Sequence, residues 1–183
     1  NCLHRRIYTV WNPYLYADEH YIFVEEYDLP NPLLGLYITE PDIPPTILLS
    51  PMLRANPRLR RCIVAEEIGH HETCSGFSTV RQYTTYQDVL NVSRVEHQAR
   101  RWAIKQLIPD DELWHLMKTK QTITYDEASV YFDVVPAYMR LRMQLFLSDY
   151  YRVFYIAGKE TLSPFVCKGK HMRMIPERGH LYA

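Results

Sequence analysis

The chain has 183 residues, of which 47% are hydrophobic and 23% charged, and its formal net charge is zero. A chain of this length buries roughly 70% of its unfolded surface, which suits one domain or one domain with a small appendage. Charge neutrality argues against a dedicated nucleic-acid binder, whose footprint is ordinarily basic. No apolar run approaches the ~18 residues of a membrane span, and no signal-peptide core of about 7–15 apolar residues is visible. The four cysteines, Cys2, Cys62, Cys74 and Cys167, are scattered and form no CxxC pair. Reduced thiols in a cytoplasmic protein are therefore expected, rather than a disulfide framework.

In chain order, Asn12-Pro13 starts a short helix within 11–20, with proline in the first turn. Tyr21–Val24 is β-branched and aromatic and reads as a strand, closed by Leu29-Pro30-Asn31-Pro32. Leu36–Ile38, after Gly35, and Thr46–Leu49, fenced by Pro44-Pro45 and Pro51, give two more strands of a small mixed or antiparallel sheet. From Pro57 the apolar period becomes helical to about Thr73, and Val92–Ile108 is a second helix stopped by Pro109. Asp110–Met117 is another helix. Thr124 and Glu127 form a capping box, predicting a helix over Tyr125–Phe132, followed by one from Pro136 to about Leu147. Tyr150–Ile156 is strand-like, and the remaining basic segment (Lys168, Lys170, His171, Arg173, Arg178, His180) reads as loop. The predicted class is α+β, a small N-terminal sheet packed on a helical core.

The chemistry concentrates at Glu66-Glu67-Ile68-Gly69-His70. In the H-E-x-x-H helix of zinc hydrolases, residues i and i+4 share a face and supply two ligands, and the glutamate after the first ligand is the general base. Here the spacing is kept and glutamate stands in the first position. A third ligand is needed to leave one coordination position open. Glu96 is the candidate, a carboxylate on the stripe Val92, Glu96, Ala99, Ala103 and Leu107, where Ala99 and Ala103 would let two helices approach closely. The plainer alternatives are a solvated acidic face at Glu66, Glu67 and Glu72, and a Glu96–Arg100 pair along one helix. Arg140 and Arg142, on a possible helix-turn-helix formed by 127–134 and 136–147, are expected to serve packing rather than DNA. Cys74, four residues after His70, is a minor candidate ligand or nucleophile.

The stretch Cys62–His71 resembles the active-site helix of the ImmA/IrrE metallopeptidases, in the branch that reads AEELGHH in place of HELGHH. Glu96–Pro109 is similar to that family's following helix, Glu127–Val134 to a later one, and Gly35-Leu36-Tyr37 to the glycine-led strand ahead of the site. The resemblance implies a zincin-like metallopeptidase domain over residues 1–149 and a C-terminal extension or tail over 150–183. It implies Glu67 as general base, with Glu66, His70 and Glu96 as metal ligands. The metal would be Zn2+, with Mn2+ or Fe2+ admitted by the harder His-Glu-Glu set. The implied substrate is a protein, a helix-turn-helix repressor of a phage or mobile element, with no direct nucleic-acid or membrane partner. A catalytically inactive regulator retaining the fold is the competing reading. His71, His97 and Tyr83 are candidates, by type and neighbourhood alone, for stabilising the oxyanion.

Overall fold

The computed structural model describes residues 11–74, 86–120, 122–156, 165–168 and 171–174. Its class is α+β. Helix α1 (Pro13–Glu19) is capped by Asn12, whose side chain accepts from the Tyr14 amide. Strands β1 (Phe23–Glu26), β2 (Gly35–Glu40) and β3 (Ile43–Leu49) form a sheet of order β1-β3-β2, β1 parallel and β2 antiparallel to β3. The mixed sheet follows from the connections. A tight turn at Pro41-Asp42 joins β2 to β3, with Asp42 left-handed at φ 68°. Residues alternate across the sheet: Tyr37, Ile47 and Leu49 are buried, whereas Leu36, Ile38 and Leu48 are only partly covered.

A 3-10 turn (Pro51–Ala55) leads into α2 (Pro57–Thr73), with Asn56 as cap and Pro57 in the first turn. Helices α3 (Tyr86–Leu107) and α4 (Asp110–Lys120) follow, then β4 (Thr122–Thr124), α5 (Tyr125–Tyr131) and α6 (Pro136–Ile156). The expected capping box is formed at Thr124 and Glu127. Helix α2 is buried on two sides. Val64 and Ile68 join Tyr37, Ile47 and Leu49 under the sheet, while Cys62 and Ala65 join Ala103, Ile104 and Leu107 and the helices after them. That double burial explains why residues 61–70 are covered almost without a break. The small residues expected to bring two helices together do so. A Cβ added at Gly69 would lie 2.3 Å from the backbone oxygen of Ala99, so α2 and α3 touch through their main chains.

The C-terminal part departs from expectation. Tyr150–Ile156, strand-like by composition, is the last part of α6, because nothing after Pro136 interrupts the helix and local β propensity yields to that continuity. The expected domain limit at 149/150 therefore falls inside α6. The basic segment carries strands β5 (Phe165–Lys168) and β6 (His171–Met174), with β6 between β5 and β4 in a second antiparallel sheet. Arg142 is fully buried and donates to the Ile108 carbonyl and to Asp110, so it ties α6 to the α3–α4 corner and is not available to DNA. Arg140 lies over the Tyr125 ring. Among the described residues, no helix is long and apolar enough to cross a membrane.

Candidate metal and catalytic site

A cleft of about 370 Å³ opens between β2 and the paired helices α2 and α3, and Glu66, Glu67, His70, Glu96 and Arg100 all contribute to its wall. Its other wall is the segment from Pro32 to Tyr37, which includes the start of β2. Among the described residues, strand β2 is an edge strand, paired with β3 on one side. The Ser50 amide donates to the Leu34 carbonyl. Because bonding alternates along an antiparallel pair, the main-chain groups of Gly35 and Tyr37 then face away from β3, toward the cleft.

Glu67 is buried against this strand. Its carboxyl group is pushed up to about 7, first by burial and then by the charges of Glu66 and Glu96; His70 and a hydrogen bond from the Tyr37 backbone pull the other way. Gly35 makes this approach possible, since a Cβ there would stand 2.5 Å from Glu67 Oε1 and 2.6 Å from Ile63 Cγ2. A carboxyl that can hold or release a proton near neutrality is suited to general-base work.

His70 is also buried. Its Nδ1 lies 3.6 Å from Cys74 Sγ and its Nε2 lies 3.4 Å from Glu96 Oε2, across the α2–α3 contact. Burial disfavours the imidazolium, but Glu96, Cys74 and Glu67 outweigh it and push His70 up to about 9. The same pairing with His70 holds the Glu96 carboxyl below its ordinary range. Glu96 is not the buried carboxylate that its apolar stripe suggested. Its side chain is 47% exposed and sits at the mouth of the cleft, because α3 turns that end of the stripe toward solvent.

Glu66 differs from expectation more sharply. Its Oε1 accepts from Arg100 Nε at 2.8 Å and from Arg100 Nη2 at 2.6 Å, and its Oε2 accepts from the Tyr138 hydroxyl. Both oxygens are engaged, so Glu66 does not join His70 and Glu96 as a ligand here. Arg100, which the sequence reading paired with Glu96 one turn earlier, instead reaches across to α2. Among the described residues, no three His, Cys, Asp or Glu side chains gather as a complete ligand set.

The residues at 70 and 96 nevertheless suit a divalent cation. Two donors bound to one tetrahedral zinc at roughly 2.0–2.1 Å stand about 3.4 Å apart, which is the separation observed. In this structure the same contact is an ion pair, longer than the roughly 2.7–2.9 Å of a tight charge-assisted hydrogen bond. Cys74 on the far ring nitrogen orients His70 much as the outer partner of a ligating histidine does. The other nominated residues lie elsewhere. His71 bonds the Tyr37 hydroxyl through Nδ1 at 2.7 Å, His97 is exposed on α3, and Tyr83 lies outside the described residues. The link of Glu66 to Arg100 and Tyr138 was not foreseen from the sequence. One signal pointed to Arg100: a buried glutamate in place of a neutral histidine calls for a cation nearby. Nothing local marked Tyr138. The chain matches no family model, no curated protein and no solved structure.

Proposed function

We propose that this chain is a metal-dependent peptidase with a zincin-like core, acting on a protein regulator. The observation that carries the reading is the 3.4 Å approach of His70 Nε2 and Glu96 Oε2 at the mouth of a cleft, with Glu67 buried beside them. His70 and Glu96 would hold the metal, and Glu66 is left out of the ligand set. A bound Zn2+ would supply Lewis acidity toward the peptide carbonyl and acidify water. Glu67 takes the proton of the attacking water and delivers it to the departing amine, the work of a carboxyl that lines the cleft beside His70 and Glu96. The cleft-facing main chain of Gly35 and the Tyr37 carbonyl suit an extended peptide laid along β2, the mode by which sheet edges recruit strands, while the Tyr37 amide is held by Glu67. The substrate class follows from the resemblance to ImmA/IrrE peptidases: a helix-turn-helix repressor of a phage or mobile element, in a cytoplasmic setting.

Metal analysis with a cleavage assay on a co-encoded repressor tests this reading. The native protein should bind about one equivalent of zinc and cleave the repressor. Glu67→Gln should keep the metal and lose cleavage by a factor on the order of 10²–10⁴. Unchanged cleavage in that variant removes Glu67 from its role. A second reading, a non-catalytic regulator, is favoured by the Glu66–Arg100–Tyr138 link, in which a guanidinium supplies positive charge where the related motif has a ligand. Metal-free native protein that folds normally and binds the repressor without cutting it would establish that reading instead.

A further inference from the structure

Glu66 and Arg100 form an unequal pair. The carboxylate side chain is 8% exposed, whereas the guanidinium side chain is 47% exposed and lines the cleft. Glu66 spends both oxygens, one on Arg100 and one on Tyr138. Among the described residues, Arg100 gives only Nε and Nη2, both to that one oxygen, and a guanidinium has five N–H donors in a planar fork. The arrangement fixes the plane of a cation whose outer edge belongs to the cleft. It also ties three elements to one point, since Glu66 is on α2, Arg100 on α3 and Tyr138 on α6. Stability alone is a poor reason for the pair, because apolar residues of similar volume commonly replace a buried ion pair at no cost. Arg100 also lies one helical turn beyond Glu96 on α3, and the two side chains line the same cleft with Glu67 and His70.

Resting on the peptidase reading, we infer that Arg100 is a catalytic residue that stabilises the oxyanion of the scissile carbonyl, with Glu66 and Tyr138 as its positioning residues. Water adds to the carbonyl carbon, and the π electrons of the C=O bond move onto oxygen. The water's proton passes to Glu67 and then to the amide nitrogen, and the C–N bond breaks as the carbonyl re-forms. Arg100 donates hydrogen bonds to the oxygen while it carries negative charge, and its own proton count does not change. Because Glu66 holds the guanidinium in place beforehand, no reorganisation is needed as that charge develops. The glutamate that displaced a histidine thus has a use of its own, as the anchor of a fixed cation.

The test is steady-state cleavage of the co-encoded repressor by the zinc-loaded protein, with zinc content and thermal unfolding measured in parallel. Arg100→Gln alone strands the buried Glu66 charge and risks misfolding, so the informative variant is the double change Glu66→Gln with Arg100→Gln. It removes both charges and keeps an amide at each position. The double variant should melt near the native temperature, retain zinc and lose kcat by about 10²–10³, the usual effect of removing an oxyanion donor, with KM little altered. Tyr138→Phe, which loosens the anchor, should lower kcat less. Native kcat in the folded double variant overturns the role of Arg100 and leaves the peptidase reading intact. Absence of turnover by the native protein overturns the peptidase reading, and this assignment with it.

Discussion

Gly69→Ala places one methyl group at the closest point of the α2–α3 contact. The new Cβ would lie 2.3 Å from the Ala99 oxygen, 2.9 Å from its carbonyl carbon and 3.1 Å from its Cα. Ordinary carbon contacts begin near roughly 3.5 Å, so one helix must retreat by about 1 Å. The obstacle is backbone, which cannot rotate aside as a flexible side chain can. Overpacking of this kind costs about 1–3 kcal/mol, and the gain from replacing a mid-helix glycine with alanine returns about 1 kcal/mol. The net loss should therefore be up to about 2 kcal/mol, lowering the melting temperature by up to roughly 8 °C in a domain of this size. The functional effect should be larger in proportion. His70 adjoins Gly69, and Glu96 is one turn from Ala99, so the same retreat widens the 3.4 Å gap between the two donors. Zinc affinity, measured by isothermal titration, should fall by about tenfold or more. A variant that gains about 1 kcal/mol in urea unfolding and binds zinc as the native protein does would refute this account of the contact.

Three further outcomes follow from the described contacts. Gly35→Ala should displace Glu67 and Ile63, which a Cβ would meet at 2.5 and 2.6 Å, cutting cleavage by about 10²-fold while zinc content is kept, because misplacement near 1 Å is enough for such a loss. Arg142→Ala should cost about 2–5 kcal/mol in denaturant unfolding, as emptying a core position does, because this fully buried side chain also bonds the Ile108 carbonyl. Arg142→Met, which fills the space, should cost less. Asp149 sits below its ordinary titration range because bonds from Lys105 and Arg101 outweigh the opposing effect of burial. A depressed carboxyl stabilises the fold above its ordinary value and loses that contribution as pH falls through the folded value. Asp149→Asn should thus cost up to about 1 kcal/mol at neutral pH, after allowing for solvent screening, and nothing near pH 2.

The sequence exposed the parts of the fold that local chemistry dictates. Asn12-Pro13, Asn56-Pro57 and the Thr124–Glu127 box each start a helix where their capping groups require one. The three short strands near the N-terminus were legible from their β-branched runs, but the first runs Phe23–Glu26 and Pro44 and Pro45, expected to fence the third, lie inside it. The end of α6 was not, because Tyr150–Ile156 has strand composition and only the helix before it decides its state. Strands β5 and β6 were also hidden, since β4, which pairs with β6, lies more than 40 residues earlier and is only three residues long. At the site, the i, i+4 spacing placed Glu66, Glu67 and His70 on one helix, and Glu96 was found from its oddity among apolar neighbours. Which partner Arg100 would choose is a matter of how α3 crosses α2. That crossing is set where Gly69 meets Ala99; the small residue on α3 was legible, its partner on α2 was not.

The placement of β6 beside β4 matters to anyone who trims this protein. Thr122, Ile123 and Thr124 find their ladder partners in Arg173, Met172 and His171. Shortening the chain after Ile156 would strip the backbone of that short strand of its neighbour, just ahead of the cap of α5, and loosen the cover over Ile123. Such a fragment should melt earlier and self-associate through the freed edge, so the last few dozen residues are better kept than cut away as an appendix.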